Sequence, residues 1–179
     1  ENIEELVSYC TLNKNEFTGG PAKIISAINA IDKGEYNKGM EHLQSSIDDC
    51  RERHRYGILP AIELALGNLF LEIAKGDQKA SAAAIFKNIG FVIKHAIVAG
   101  KRASEHFNAA IHYADQVNAI GLKGQAYYGL GILNKIKRKY EIAGEYFEKS
   151  IDIFQETGAY SYLDQAENEL GNLPQKTYA

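Results

Sequence analysis

The sequence predicts an all-α fold made of helical hairpins that recur about every 40 residues. Three observations carry that prediction. A set of small and aromatic residues repeats at a 40-residue step, short turn signals separate apolar stretches of helical length, and alanine, isoleucine and leucine abound. Proline occurs only at Pro21, Pro60 and Pro174, so long helices are free to form.

The elements follow in chain order. Ile3 and Leu6 stand where a preceding second helix would place Leu43 and Ser46, so 1–13 reads as the tail of an upstream repeat. The stretch "TLNKNEFTGGPA" (11–22) is linker-like, and Pro21 suits the first turn of the helix after it. Repeat 1 spans 21–55, with helices over 21–33 and 36–55 separated by "KGEY". Repeat 2 spans 58–118, with a first helix over 58–76, the turn "KGD", an insertion over 77–100 and a second helix over 101–118. Repeat 3 spans 120–157, with helices over 120–138 and 140–157, entered through "AIGLKG" (119–124). After "ETGAY" a capping helix covers 159–172, and the whole of 1–179 reads as one domain. The insertion "DQKASAAAIFKNIGFVIKHAIVAG" is too apolar for a solvated loop, and predicts an extra short helix near 79–93 packed on the array.

The stretch "AYYGLGILNKIKRKYEIAGEYFEKS" (126–150) reads as helical, yet it holds Gly129, Gly131 and Gly144. Each interior glycine costs about 0.5–1 kcal/mol against alanine. The repeat supplies a reason. Tyr127, Leu130 and Gly131 are followed by Ala143, Phe147 and Ser150; one step back lie Ala103, Phe107 and Ala110. Leu66-Gly67 matches Leu130-Gly131 once a 24-residue insertion is allowed; Ala27, Gly39, Leu43 and Ser46 match a step earlier, and Leu170-Gly171 a step later. Small residues let helices approach closely, and Phe107 and Phe147 fill the space between them. An aromatic side chain buries about 150–250 Å², worth at most roughly 4–6 kcal/mol, which exceeds the glycine cost several-fold.

These spacings resemble the tetratricopeptide repeat, W-x2-L-G-x2-Y followed by A-x3-F, with Asn134 in place of the second aromatic and Gln155 in place of the terminal proline. The resemblance implies a right-handed α-α superhelix whose first helices line a concave groove. Residues 87–170 are in addition similar to the C-terminal tetratricopeptide region of large bacterial signalling proteins that carry adenylate/guanylate cyclase and AAA-type ATPase domains. That resemblance implies a regulatory or sensory C-terminal part of such a protein.

The composition narrows the chemistry. With 179 residues, 45 % apolar and 24 % charged, and a formal net charge of −3, the chain is globular and carries no strong field for nucleic acid. Cys10 and Cys50 make no disulfide framework and read as reduced thiols, hence a cytoplasmic protein. No uninterrupted apolar run spans a membrane, so no membrane contact is expected. The start "ENIEEL" has neither a basic n-region nor an initiator methionine; it shows no signal peptide and reads as the interior of a longer protein.

No catalytic, cofactor-binding or metal site emerges. His42, His54, His95, His106 and His112 form neither H-E-x-x-H nor an i, i+4 pair, and read as surface or half-buried side chains. The glycines of "GLKGQ" and "YGLG" follow no predicted strand and make no phosphate loop. The basic runs "KIKRK" and "RERHR" suit the C-terminal ends of helices.

Function is therefore expected in the groove. The repeat register aims Ile24, Ile28, Leu64, Asn68, Leu71, Tyr128, Ile132 and Lys135 into it. Only Asn68 and Lys135 suit a clamp for a peptide carboxylate, so an amphipathic helix or an extended apolar segment is the expected occupant. The chain thus reads as a non-catalytic scaffold for a protein or peptide partner, or for upstream domains of its own protein, with no cofactor; a homodimer stays open. The alternative is a small-molecule sensor with an apolar pocket between the groove and the insertion.

Overall fold

The computed structural model describes residues 16–76 and 82–174. These residues form seven α-helices and no strand: α1 (Glu16–Asp32), α2 (Tyr36–Glu52), α3 (Leu59–Lys75), α4 (Ala82–Val117), α5 (Ile120–Ile136), α6 (Tyr140–Thr157) and α7 (Tyr160–Gly171), with a short 3-10 turn at Tyr56–Ile58 before α3. The chain is all-α, as expected from its composition. The reading of 1–13 lies outside the described residues.

Neighbouring helices pack in sequence order, and a second set of contacts joins alternate helices: α1 with α3, α3 with α5, α5 with α7, and α2 with α4. α1, α3, α5 and α7 therefore lie in one row. Most of the core falls into two clusters. Ile24, Ala27, Leu43, Ile47, Leu59, Ile62 and Leu66 bury the interface of α1, α2 and α3. Phe70, Leu71, Ala103, Phe107, Ala126, Leu130 and Leu133 bury that of α3, α4 and α5.

The helices end by a shared device. Gly34, His54, Asn118, Arg138 and Gly158 all have positive φ. In each case the next residue's N–H donates back to the carbonyl five residues earlier: Glu35 to Ala30, Arg55 to Cys50, Ala119 to Ala114, Lys139 to Asn134 and Ala159 to Phe154, at 2.7–2.9 Å. This is the Schellman ending, which satisfies carbonyls that the helix leaves open. The "AIGLKG" turn signal was misplaced as a consequence. The chain turns at Asn118, and Gly121 and Gly124 lie inside α5.

The insertion is the main correction. Over the described residues 82–93 no separate short helix forms; the segment from Ala82 runs unbroken into the expected second helix, giving a single α4 of 36 residues, and 77–81 of the insertion lie outside the described residues. No proline interrupts it, and Gly90 and Gly100 stay helical. At 1.5 Å per residue α4 is about 54 Å long, against about 26 Å for the 17-residue α3. Its N-terminal part therefore outruns the partner helix.

The helical glycines divide by what faces them. A Cβ at Gly131 would lie 2.5 Å from the Phe147 ring, and one at Gly67 would lie 2.6 Å from the Phe107 ring. Gly129 faces Phe107 from the other side, with even less room. Gly144 differs. A Cβ there would meet only Leu170 and Leu173, at 3.7 Å, an ordinary contact. Gly144→Ala is expected to raise stability by about 0.5–1 kcal/mol, read by chemical denaturation, because alanine restricts the unfolded chain and fits the folded one. Gly171 has nothing within 4 Å, so it does not share the close-approach role of Gly67 and Gly131.

The stretch Tyr56–Lys75 is long and apolar enough by composition to cross a membrane, which the sequence reading did not anticipate. It is 67 % buried against its neighbours, so its apolar surface is already used as core.

Candidate functional site

A groove of about 640 Å³ opens where α3, α5 and α7 meet. α3 contributes Asn68, Leu71, Glu72 and Lys75, and α5 contributes Tyr128, Gly129, Ile132, Lys135 and Ile136. Tyr140 at the start of α6 and Glu169, Asn172 and Pro174 at the end of α7 close one side. These side chains converge because α3 and α5 lie side by side, and residues three, four and seven apart share one face of each helix. That size lies in the range of ligand and peptide sites, about 300–1,000 Å³.

Five of the eight sequence-predicted residues line this groove: Asn68, Leu71, Tyr128, Ile132 and Lys135. The other three do not. Ile24 is buried between α1, α2 and α3, and Leu64 is buried in the core of α3, α4 and α5. Ile28 is exposed on α1, away from the groove. The cause is the position of α3. Neighbours cover it on several sides, so the residue one turn before Asn68 points into the core.

The groove has an apolar floor and a charged but neutralised rim. Leu71 is buried and Ile132 half-buried. Lys135 Nζ donates to Glu169 Oε2 at 2.6 Å, and Lys75 Nζ donates to Glu72 Oε1 at 2.6 Å. Tyr128 tilts against Phe147 with ring centroids 5.9 Å apart. Burial pushes its phenol pKa up, and the Glu169 carboxylate adds to the shift. Sequence reading missed Glu169, whose pairing with Lys135 across 34 residues depends on α7 returning beside α5. Glu72 and Lys75, three apart on one helix, were legible as a pair.

A second polar cluster lies inside the α3–α4 hairpin. His106 Nδ1–H donates to the buried Glu63 carboxylate at 2.7 Å, and the His106 ring stacks on Phe70 at 5.4 Å. Arg102 sits over the Phe70 ring, 5.3 Å from its centroid. His95 meets Phe70 edge-on. His95 is 5 % exposed, more buried than the sequence reading expected of the histidines. Burial holds its pKa below the usual imidazole range, with Arg102 and then Lys94 adding to the effect. This cluster ties α3 to α4 and opens onto no pocket lining described for the groove. Cys50 is buried between α2 and α3, and burial raises its thiol pKa. Among the described residues no three His, Cys, Asp or Glu side chains converge as metal ligands.

Compared with protein-family models, with curated proteins and with solved structures, the chain matches none of them.

Proposed function

We propose that the chain is a non-catalytic, tetratricopeptide-like scaffold whose groove between α3, α5 and α7 holds an extended or helical segment of a protein partner, or of other domains of its own protein. The observation that carries this reading is the groove itself: an apolar floor of Leu71, Tyr128 and Ile132 framed by the polar side chains of Asn68, Lys75, Lys135 and Glu169. An apolar floor takes alternate side chains of a bound segment, and the polar rim can meet its backbone. The row formed by α1, α3, α5 and α7 and the Gly–Phe contacts support the repeat reading. A regulatory place beside a cyclase or ATPase domain accords with the sequence resemblance.

The rim also narrows the partner. Both lysines already have a carboxylate partner, so the groove offers little net positive charge to a C-terminal carboxylate. Such exposed pairs are worth only about 0–1 kcal/mol, so a bound segment can rearrange them. An uncharged, apolar-anchored segment fits better than an acidic one.

The test is selection of a displayed peptide library on the chain, followed by binding of the enriched peptides to variants. Ile132→Asp and Asn68→Arg are expected to weaken binding tenfold or more, about 1.4 kcal/mol, with helical circular dichroism unchanged. Tyr128→Ala should weaken it too, at some cost in stability because of the Phe147 contact. Undiminished binding in both Ile132→Asp and Asn68→Arg rejects the groove as the site.

A further inference from the structure

The chain divides its charge along its length. Residues 82–139 carry nine lysines and arginines against only Glu105 and Asp115, whereas in 140–174 Lys149 alone stands against eight aspartates and glutamates. Part of the positive set is gathered at one end of the helices. Lys137 Nζ donates to the Gly100 carbonyl at 3.2 Å, which joins the α5–α6 turn to the middle of α4. Lys94 and Lys101 are exposed on α4, and Arg138 and Lys139 are exposed in the α5–α6 turn. Ile97, 95 % exposed, and the exposed Val98 stand between Lys94 and Lys101 at steps of three and four, on one outer face of α4. Lys101 has only a loose, exposed contact with Glu105 at 3.7 Å. Among the described residues no ion pair involves Lys94, Arg138 or Lys139.

The negative set has its own geometry. Glu145, Glu148, Asp152 and Glu156 are all exposed, and steps of three and four place them on one outer face of α6. No ion pair involves any of them among the described residues. Like charges at this spacing cost a helix about 0.2–0.5 kcal/mol per pair. Ile142, also exposed, lies at the start of the same helix.

We propose that the basic–apolar patch around Ile97 docks on the acidic outer face of α6 of a second copy of this chain. Opposite charge steers the approach, and Ile97 and Val98 supply apolar contact once water is displaced. The two faces differ, so the contact is heterologous and each copy keeps its other face for a third. It uses neither the groove nor the partner proposed for it.

Sedimentation of the chain as a function of concentration tests this at low and high salt, where the screening length falls from about 30 Å at 0.01 M to about 3 Å at 1 M. The mass of the wild-type chain is expected to rise with concentration at low salt and to fall back at high salt. A triple variant of the acidic face (Glu145→Lys, Glu148→Lys, Asp152→Lys) should stay single, as should one of the patch (Lys94→Glu, Arg138→Glu, Lys139→Glu). An equimolar mixture of the two should associate again. Ile97→Asp, at a site too exposed to matter for folding, should weaken self-association without touching the basic side chains. A wild-type chain that remains single at low salt, or a mixture that fails to associate, overturns the proposal. So does binding of wild type and acidic-face variant alike to phosphatidylserine-containing vesicles without self-association, which would assign the patch to a lipid surface.

Discussion

Phe107→Ala is expected to cost about 3–5 kcal/mol, which for a domain of this size lowers the thermal midpoint by roughly 6–20 °C. Phe107 is fully buried, and its ring fills the space that Gly67 on α3 and Gly129 on α5 leave open from either side. Neither glycine has a side chain that could move into the cavity. The loss therefore combines the transfer cost of the ring with an uncollapsed void at the junction of three helices. Circular dichroism melts read the shift. Hydrogen exchange should place the first loss of protection in α4 and α5, because such stacked helices depend chiefly on their neighbours. A midpoint within about 3 °C of the wild type would show that the ring is not the wedge between these helices.

Gly131→Leu tests the same packing from the opposite direction. A Cβ at this position would stand 2.5 Å from the Phe147 ring, closer than real side-chain contacts allow, and Phe147 is itself fully buried. Overpacking of this kind costs about 1–3 kcal/mol or more, and the glycine's own helix penalty, about 1 kcal/mol, recovers only part of it. The midpoint should fall by several degrees. The sharper reading is a double-mutant cycle. Phe147→Ala alone destabilises, but in the Gly131→Leu background it makes room, so the two effects should sum to less than their separate losses. Strict additivity would mean that the two side chains do not share the space.

Much of this was legible in the sequence. Helix positions followed from the turn signals: the predicted 140–157 matches α6 over Tyr140–Thr157, and the predicted 120–138 overlaps α5 over Ile120–Ile136. The pairing of glycine with phenylalanine followed from spacing, since Gly67, Gly131, Phe107 and Phe147 recur in register. Three of the positive-φ turns were less visible. His54, Asn118 and Arg138 close their helices in a conformation usually left to glycine; histidine and asparagine are only enriched there, and no local rule marks arginine for that position. The insertion was misread because the repeat register set 77–100 apart from the second helix, as though a boundary stood at its end. Gly90 and Gly100 are instead carried within one helix, where each costs about 1 kcal/mol but breaks nothing.

The groove shows the same division. Tyr128, Ile132 and Lys135 were placed by counting along one helix, and Asn68 and Leu71 by the matching count on another. Glu169, Asn172 and Tyr140 could not be found that way, since they belong to helices that reach the groove only after the chain has turned back. By itself the sequence determined that the chain is helical, where most helices begin and end, and which small and aromatic residues are paired. These are local properties of period, turn chemistry and side-chain volume. Tertiary structure alone decided that Leu64 is core while Asn68 lines a groove, that Glu169 neutralises Lys135, and that Lys137 reaches Gly100 and so holds the α5–α6 turn against the middle of α4. The face that a helical residue presents depends on which neighbours cover it, and that is settled by the packing of helices distant in the chain.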